Sequence, residues 1–478
     1  MKTMKYLFVG VLALSLSAPV VAQDNKAAIE QAAQIIKSNS PEKAKELKSF
    51  AKKYKKNGEV LTGIGRTFFE LKDTASAHEY AEMGMKLSYG PAYELNGDIA
   101  ALADDGGQAA LMYEQAIYFD KSNPDPYLKY ATMHSKIDPS GALTKLEELR
   151  VAVPDYPVDL PMAKLYQNTG KLDKAIESYD KWYTTTGFDK KEPGDLASYA
   201  LIYYLKKDYA KSLGIVKESA QKYPRSSSLN RVALMNTIAM QDYDQALTWG
   251  DRLFNQSDSS NFNDFDYTNY AQAYVGKAQY DEAIALYRKG MEVSKADKDA
   301  VNNLRKEISD AYMKKGEFDN AMAEYRSYLD NTTKKTAEDY RVMAEMYYKH
   351  AADLTGDEQQ AAIKGADGVY EQAQQLFANN PDVLSFILNR RGTLNAILDP
   401  DSKLGLAKPI FEQQIELMEA KQTRNNTENN RLVTAYRYLM SYALLVQDDK
   451  AGAREWARKI LNVDPENEQA KQVIDNIK

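Results

Sequence analysis

The chain has 478 residues, a formal net charge of −6 and no cysteine. The missing cysteines exclude disulfides, thiolate nucleophiles and thiolate metal sites, so stability must come from packing. The mild acidic balance, 62 Lys and Arg against 68 Asp and Glu, argues against nucleic acid and anionic membrane as partners, because both select a basic footprint.

The chain opens MKTMK, continues with the apolar run YLFVGVLALSLS, and reaches APVVA before QDN. A basic start, a short apolar stretch and the small residues Val20 and Ala22 predict a secretory signal peptide over residues 1–22, cleaved after Ala22. The run falls short of the roughly 20 apolar residues needed to span a bilayer. With no cysteine to acylate, the expectation is an exported, periplasmic protein without a lipid anchor. Asp24–Ser38 reads as a helix with Ala28, Ile29, Ala32 and Ile36 on its apolar side. Pro41 suits the first turn of a partner helix running to about Tyr54. Further hairpins are predicted at about Glu59–Leu87, Ala92–Asp120 and Pro126–Val153. Each centres on one small residue: Ala44, Ala77, Ala109 and Ala142 in turn.

The pattern is clearest at Met162–Tyr183. Leu172, Ala175, Ile176, Tyr179, Trp182 and Tyr183 recur at spacings of three and four, which makes one helix face apolar. Gly170 suits the left-handed residue that closes the helix before it. The phrase returns as KKDYAKSL, QDYDQAL, AQYDEAIALY and KGEFDNAMAEY, with Ser212, Ala246, Ala283 and Ala321 in the place of Ala175. A small residue there lets two helix backbones approach. Asn255–Asp264 is polar and reads as a longer loop, a candidate break between two half-arrays. Beyond Leu329 the units lengthen, with Ala366, Ala407 and Ala453 as the small residues. Helices are predicted over Ala337–Ala352, Pro381–Ile397, Leu404–Lys421, Glu428–Leu445 and Ala451–Val463. The segment Glu466–Ile477 reads as a closing polar helix.

These phrases resemble the tetratricopeptide repeat, a helix–turn–helix unit of about 34 residues. The resemblance implies an all-α solenoid of stacked antiparallel hairpins, about twelve units, wound as a right-handed superhelix. The organisation expected is a signal peptide (1–22), an N-terminal array (23–258), a C-terminal array of longer units (259–465) and a capping helix (466–478). Two departures from the family pattern stand out: Ser212 replaces the usual Ala, and Gly250 sits where an aromatic is usual.

Signs of catalysis are few. His78, His134 and His350 are far apart, and no HExxH, phosphate loop or GxSxG elbow is present. The acidic runs at Asn263–Asp266 and Leu398–Asp401 read as turn residues. No catalytic residue, metal ligand or cofactor is assigned. The resemblance also allows one family site to be tested, the carboxylate clamp of chaperone-binding repeats. Its closest counterpart pairs Lys306 with Asp310, and Asp would repel a carboxylate. The resemblance implies a concave groove lined by first helices, whose inward positions include Phe69, Tyr127, Tyr204, Arg341, Glu345, Tyr348, Tyr438 and Tyr442. Tyr offers large contact area at small entropic cost. The expected function is therefore a non-enzymatic scaffold holding a peptide or protein partner on that face, within an envelope complex. The alternative is glycan or nutrient capture by the groove tyrosines, against which the three Trp fall in packing rather than groove register.

Overall fold

The computed structural model describes residues 20–258 and 261–477. The predicted signal segment lies outside the described residues as far as residue 19. Among the described residues every regular element is helical, and the chain divides into two compact units, Met1–Tyr223 and Pro224–Lys478.

The first unit holds α1 (Val20–Lys37), α2 (Lys43–Lys53), α3 (Gly58–Glu70), α4 (Thr74–Met85), α5 (Gly90–Leu102) and α6 (Gly106–Phe119). It continues with α7 (Asp125–His134), α8 (Pro139–Ala152), α9 (Asp159–Asn168), α10 (Leu172–Thr185), α11 (Pro193–Leu205) and α12 (Tyr209–Lys222). The second unit holds α13 (Ser227–Ala239), α14 (Tyr243–Asp251), α15 (Asp264–Gly276), α16 (Tyr280–Val293), α17 (Lys298–Lys315), α18 (Phe318–Asn331) and α19 (Ala337–Ala352). It ends with α20 (Gly356–Leu376), α21 (Pro381–Leu398), α22 (Lys408–Glu419), α23 (Asn426–Leu445), α24 (Lys450–Val463) and α25 (Glu468–Asn476). Within each unit, consecutive helices pair as hairpins and each hairpin packs on the next. The core is accordingly a chain of local clusters, such as Ala271–Ala311 and Ala407–Val473, each drawn from neighbouring helices.

The predicted small residues explain that packing. Ala77, Ala109, Ala142, Ala175, Ser212, Ala246, Ala283, Ala321, Ala366, Ala407 and Ala453 are all 0% exposed. Ser212 is tolerated because its Oγ donates to the Ala200 carbonyl at 2.7 Å, which satisfies the buried hydroxyl. Gly250 has a different cause. The Tyr270 ring from α15 lies where a Cβ would project, 2.2 Å from it, so the aromatic expected at 250 is supplied from the next hairpin. Ala44 is a correction. It is exposed, and α2 buries Leu47, Phe50 and Ala51 instead, so the register at Ala175 does not extend back to this helix.

The turns inside the hairpins repeat as closely. Gly170 has φ 73° as expected, and Lys72, Asp104, Lys207, Gln241 and Ala278 hold the same left-handed place with φ between 56° and 64°. An aspartate then often caps the second helix. Asp73, Asp105, Asp138, Asp208 and Asp242 each accept from a backbone amide three residues on, a contact worth about 1 kcal/mol.

The polar stretch after Phe254 lies within the second unit and is held on both sides. The Phe254 ring packs on Phe262, Tyr267 and Tyr270 at 4.4, 4.9 and 5.2 Å. Asp266 caps α15 with Asn263 and pairs with Arg231 of α13. In the loop before α22, Asp399 accepts from the amides of Leu404 and Gly405 at 3.0 and 2.8 Å. In the first acidic run Asn263 is the N-cap and Asp264–Asp266 are the first turn of α15, whereas Asp399–Asp401 form a turn, as read. That loop also shortens the predicted helix Leu404–Lys421 to Lys408–Glu419.

Candidate functional site

The eight inward candidates divide by burial. Arg341, Glu345 and Tyr348 stand on successive turns of α19, and Tyr348 is 50% exposed. Arg341 donates to Glu338 at 2.7 Å through Nε and also pairs with Glu345. These two carboxylates raise the Arg341 pKa above its ordinary value. Tyr438 and Tyr442 are half-buried on α23. Tyr438 packs on Phe411 at 5.2 Å, and Tyr442 reaches the Gly405 loop, so both brace α23 against that loop. In the first unit, Phe69 on α3 and Tyr204 on α11 are half-buried, Tyr204 leaning on Tyr209 at 5.3 Å. Tyr127 is corrected from groove to core: it is 2% exposed, because α7 turns its ring onto Leu146 and Leu149 of α8 in one cluster.

A cleft opens on each side of α19. The first, about 720 Å³, lies between α17, α18 and α19 and is lined by Lys306, Glu307, Met313, Phe318, Lys349 and His350 among others. His350 stacks on Phe318 with ring centroids 4.0 Å apart. Burial, reinforced by Asp310, pushes the Glu307 carboxyl up. The second cleft, about 560 Å³, is walled by first helices of three successive hairpins: α19 with Glu338 and Arg341, α21 with Asp382 and Phe386, α23 with Glu428 and Arg431. Both volumes are in the range of small-ligand and side-chain pockets.

The first unit presents a different inner face. Glu94 and Asp98 stand one turn apart on α5, Glu94 buried and Asp98 largely so, and Lys129 of α7 reaches them at 2.6 and 2.8 Å. Arg66 of α3 lies 3.2 Å from Glu94, Asn123 donates to Glu94, and the Tyr113 hydroxyl donates to Asp98 at 3.0 Å. Burial opposes ionisation of Glu94, but the Lys129 and Arg66 charges outweigh it and hold the carboxyl below its ordinary value. At Asp98 burial prevails and the carboxyl is raised. Applying the register of α19 to α5 would have placed Glu94 and Asp98 on the inner face, and the acids one turn apart were visible in the sequence. That the partners Arg66 and Lys129 come from the hairpins on either side was not.

Among the described residues no group of His, Asp or Glu is arranged to hold a metal ion, and no helix is long and apolar enough to cross a membrane.

Among known proteins, a sequence-family model agrees with the helix–turn–helix reading. The sequence model of the tetratricopeptide repeat matches residues 162–182 and 267–297. No curated protein sequence matches the chain. Among solved structures, the C-terminal part of a TPR repeat-containing protein from Cytophaga hutchinsonii is 21% identical, covering 58% of this chain and 99% of its own, with a TM-score of 0.45. A tetratricopeptide repeat protein from Parabacteroides merdae is 16% identical over 63% of this chain and 98% of its own, with a TM-score of 0.33. The Cut9–Hcn1 hetero-tetramer of the APC/C covers 96% of this chain and 94% of its own at 13% identity, with a TM-score of 0.35. Two stretches match the repeat directly and the same buried small residue recurs in hairpin after hairpin, so the chain carries tetratricopeptide repeats.

Proposed function

We propose that this protein is an exported, non-enzymatic scaffold that holds an extended peptide, or a segment of a partner protein, across α19 of the second unit. The observation that carries the reading is the setting of α19. Its successive turns bear Arg341, Glu345 and the half-exposed Tyr348, and a cleft flanks it on either side. Tyr348 supplies contact area at small entropic cost, and the clefts offer pockets for neighbouring side chains of the bound segment. Export rests on the basic, apolar and small-residue succession of residues 1–22. The partner belongs with other envelope proteins in the periplasm. Structural repeats of this kind work through binding surfaces rather than reacting groups, and no nucleophile–base pair has been found on α19.

A photo-crosslinking residue placed at Tyr348 tests this, with one at Leu111 of α6, also exposed, as control. One protein captured through 348 and not through 111, in cells exporting the chain, supports the reading. Equal capture at both positions sinks it. Retention of glycans on an array, lost in Tyr348→Ala, would instead favour carbohydrate capture. Mass measurement of the exported chain checks the cut after Ala22.

A further inference from the structure

The second cleft contains an arginine whose side-chain donors are unused. Of the acids lining it, Glu338 is held by Arg341, and Asp382 and Glu428 are both held by Lys421, the former at 2.5 Å. Of the cations lining it, Arg341 is engaged with its own helix. That leaves Arg431. Its guanidinium lies 5.4 Å from the centroid of Phe386 and makes no ion pair or hydrogen bond among the described residues. Arg390, on α21, approaches the same ring at 5.5 Å and is also unpaired. Two arginines thus converge on one phenylalanine at the edge of an open cleft.

Both guanidinium groups keep unused donors beside the cleft. Burial, with Arg390 adding its like charge against the pull of Glu428, disfavours the charge on Arg431. Stacking on Phe386 orients each guanidinium and compensates only in part. A planar fork held by an aromatic face, with its donors unused, is matched by a carboxylate, which takes two parallel N–H···O bonds. At the nearby start of α23 a capping box engages the Asn425 and Glu428 amides, and the arginines are the cationic donors left unengaged beside the cleft.

We propose that the cleft between α19, α21 and α23 binds a carboxylate side chain of an acidic peptide segment, gripped by Arg431 with Arg390. The inference rests on the peptide reading given above and adds the chemistry of one subsite. A single carboxylate fits better than a phosphate. Glu338, Asp382 and Glu428 crowd the cleft, and a phosphate would bring about −1.5 to −2 charges against them where a carboxylate brings one.

The test uses the chain from residue 23 to 478. Twelve-residue peptides are selected on it from a displayed random library, then made with blocked termini. Each acidic residue is replaced in turn by Gln. At one acidic position the replacement is expected to weaken binding by about tenfold or more. Arg431→Gln should weaken the acidic peptide to the level of its Gln counterpart, and leave that counterpart unchanged. Arg390→Gln should give a smaller loss of the same kind, and Arg431→Lys should recover part of the affinity. Circular dichroism melting confirms that each variant is folded. Peptides that bind with no acidic dependence, or that lose equally in both forms on Arg431→Gln, overturn the carboxylate subsite while leaving the groove standing. A phosphoserine peptide that binds better than its Glu counterpart also overturns it, in favour of phosphate. If the library yields no binder, the groove reading falls and the subsite with it.

Discussion

The first helices of successive hairpins carry their charges in opposite ways in the two units. On α3, α5 and α7 the charges are closed among themselves: Lys129 and Arg66 cover Glu94 and Asp98, with Asn123 and Tyr113 taking remaining bonds. On α19, α21 and α23 the acids are matched but Arg431 and Arg390 are not, and the space beside them is open. One face ties three successive hairpins together. The other keeps donors in reserve. A repeat fold fixes the register of such a face; whether it is sealed or receptive depends on whether its charged donors are all engaged.

The largest effect should come from opening the sealed face. Lys129→Met leaves two buried carboxylates with Arg66 alone and should cost about 3 kcal/mol in chemical denaturation. Its pH dependence has a defined sign. In the wild type Glu94 is lowered, so its contribution is present above its ordinary carboxylate value and is lost as pH falls through the depressed one. Asp98 is raised, so its contribution is present at low pH and is lost as pH rises through the elevated value. Removing Lys129 raises both. The gap between variant and wild type should therefore narrow on acidification from neutral pH towards the carboxylate range. A gap that stays constant would show that these carboxylates are not what the variant exposes.

Next comes the small-residue packing inside a hairpin, which recurs in each unit. Ala283→Leu should overpack α15 against α16 and cost about 1–3 kcal/mol. Ala44→Leu, at the exposed position of α2, should stay within about 0.5 kcal/mol of wild type. Equal melting of the two would mean that the small residues do not set the hairpin spacing.

Smaller still is the effect of the strained turns. Ala278→Gly at φ 56° relieves a left-handed backbone and should stabilise by about 1 kcal/mol in thermal or urea melting. On the receptive face, Arg431→Met should change stability by less than about 1 kcal/mol, since no ion pair is broken. A loss as large as that of Lys129→Met would show that Arg431 is structural and erase the contrast between the faces. Tyr348→Ala should likewise melt within about 0.5 kcal/mol of wild type.

Much of this was legible in the sequence, for a specific reason. An apolar residue every three or four positions, and a small one once per hairpin, are local signals that each repeat carries in full. Ala77 through Ala453 could therefore be named without knowing what they touch, and the helix Ala337–Ala352 could be bounded to the residue. The same logic failed at Ala44, where α2 buries a different side, and at Tyr127, whose position was inward by count but whose ring turns into the core. Counting gives the direction of a Cα–Cβ bond; the rotamer and the neighbours decide where a large ring ends.

The sequence by itself determined the unit, its approximate period and the helices that face inward, because these follow from contacts within about 40 residues. Only the tertiary structure decided which charges meet. Arg66 finds Glu94, and Lys129 finds Asp98, across successive hairpins. Arg231 reaches Asp266, and Tyr270 fills the space at Gly250, in the same way. Each pairing depends on the distance and rotation between neighbouring units, which no single repeat encodes. For the same reason the two unpaired arginines beside Phe386 could not be recognised from the sequence.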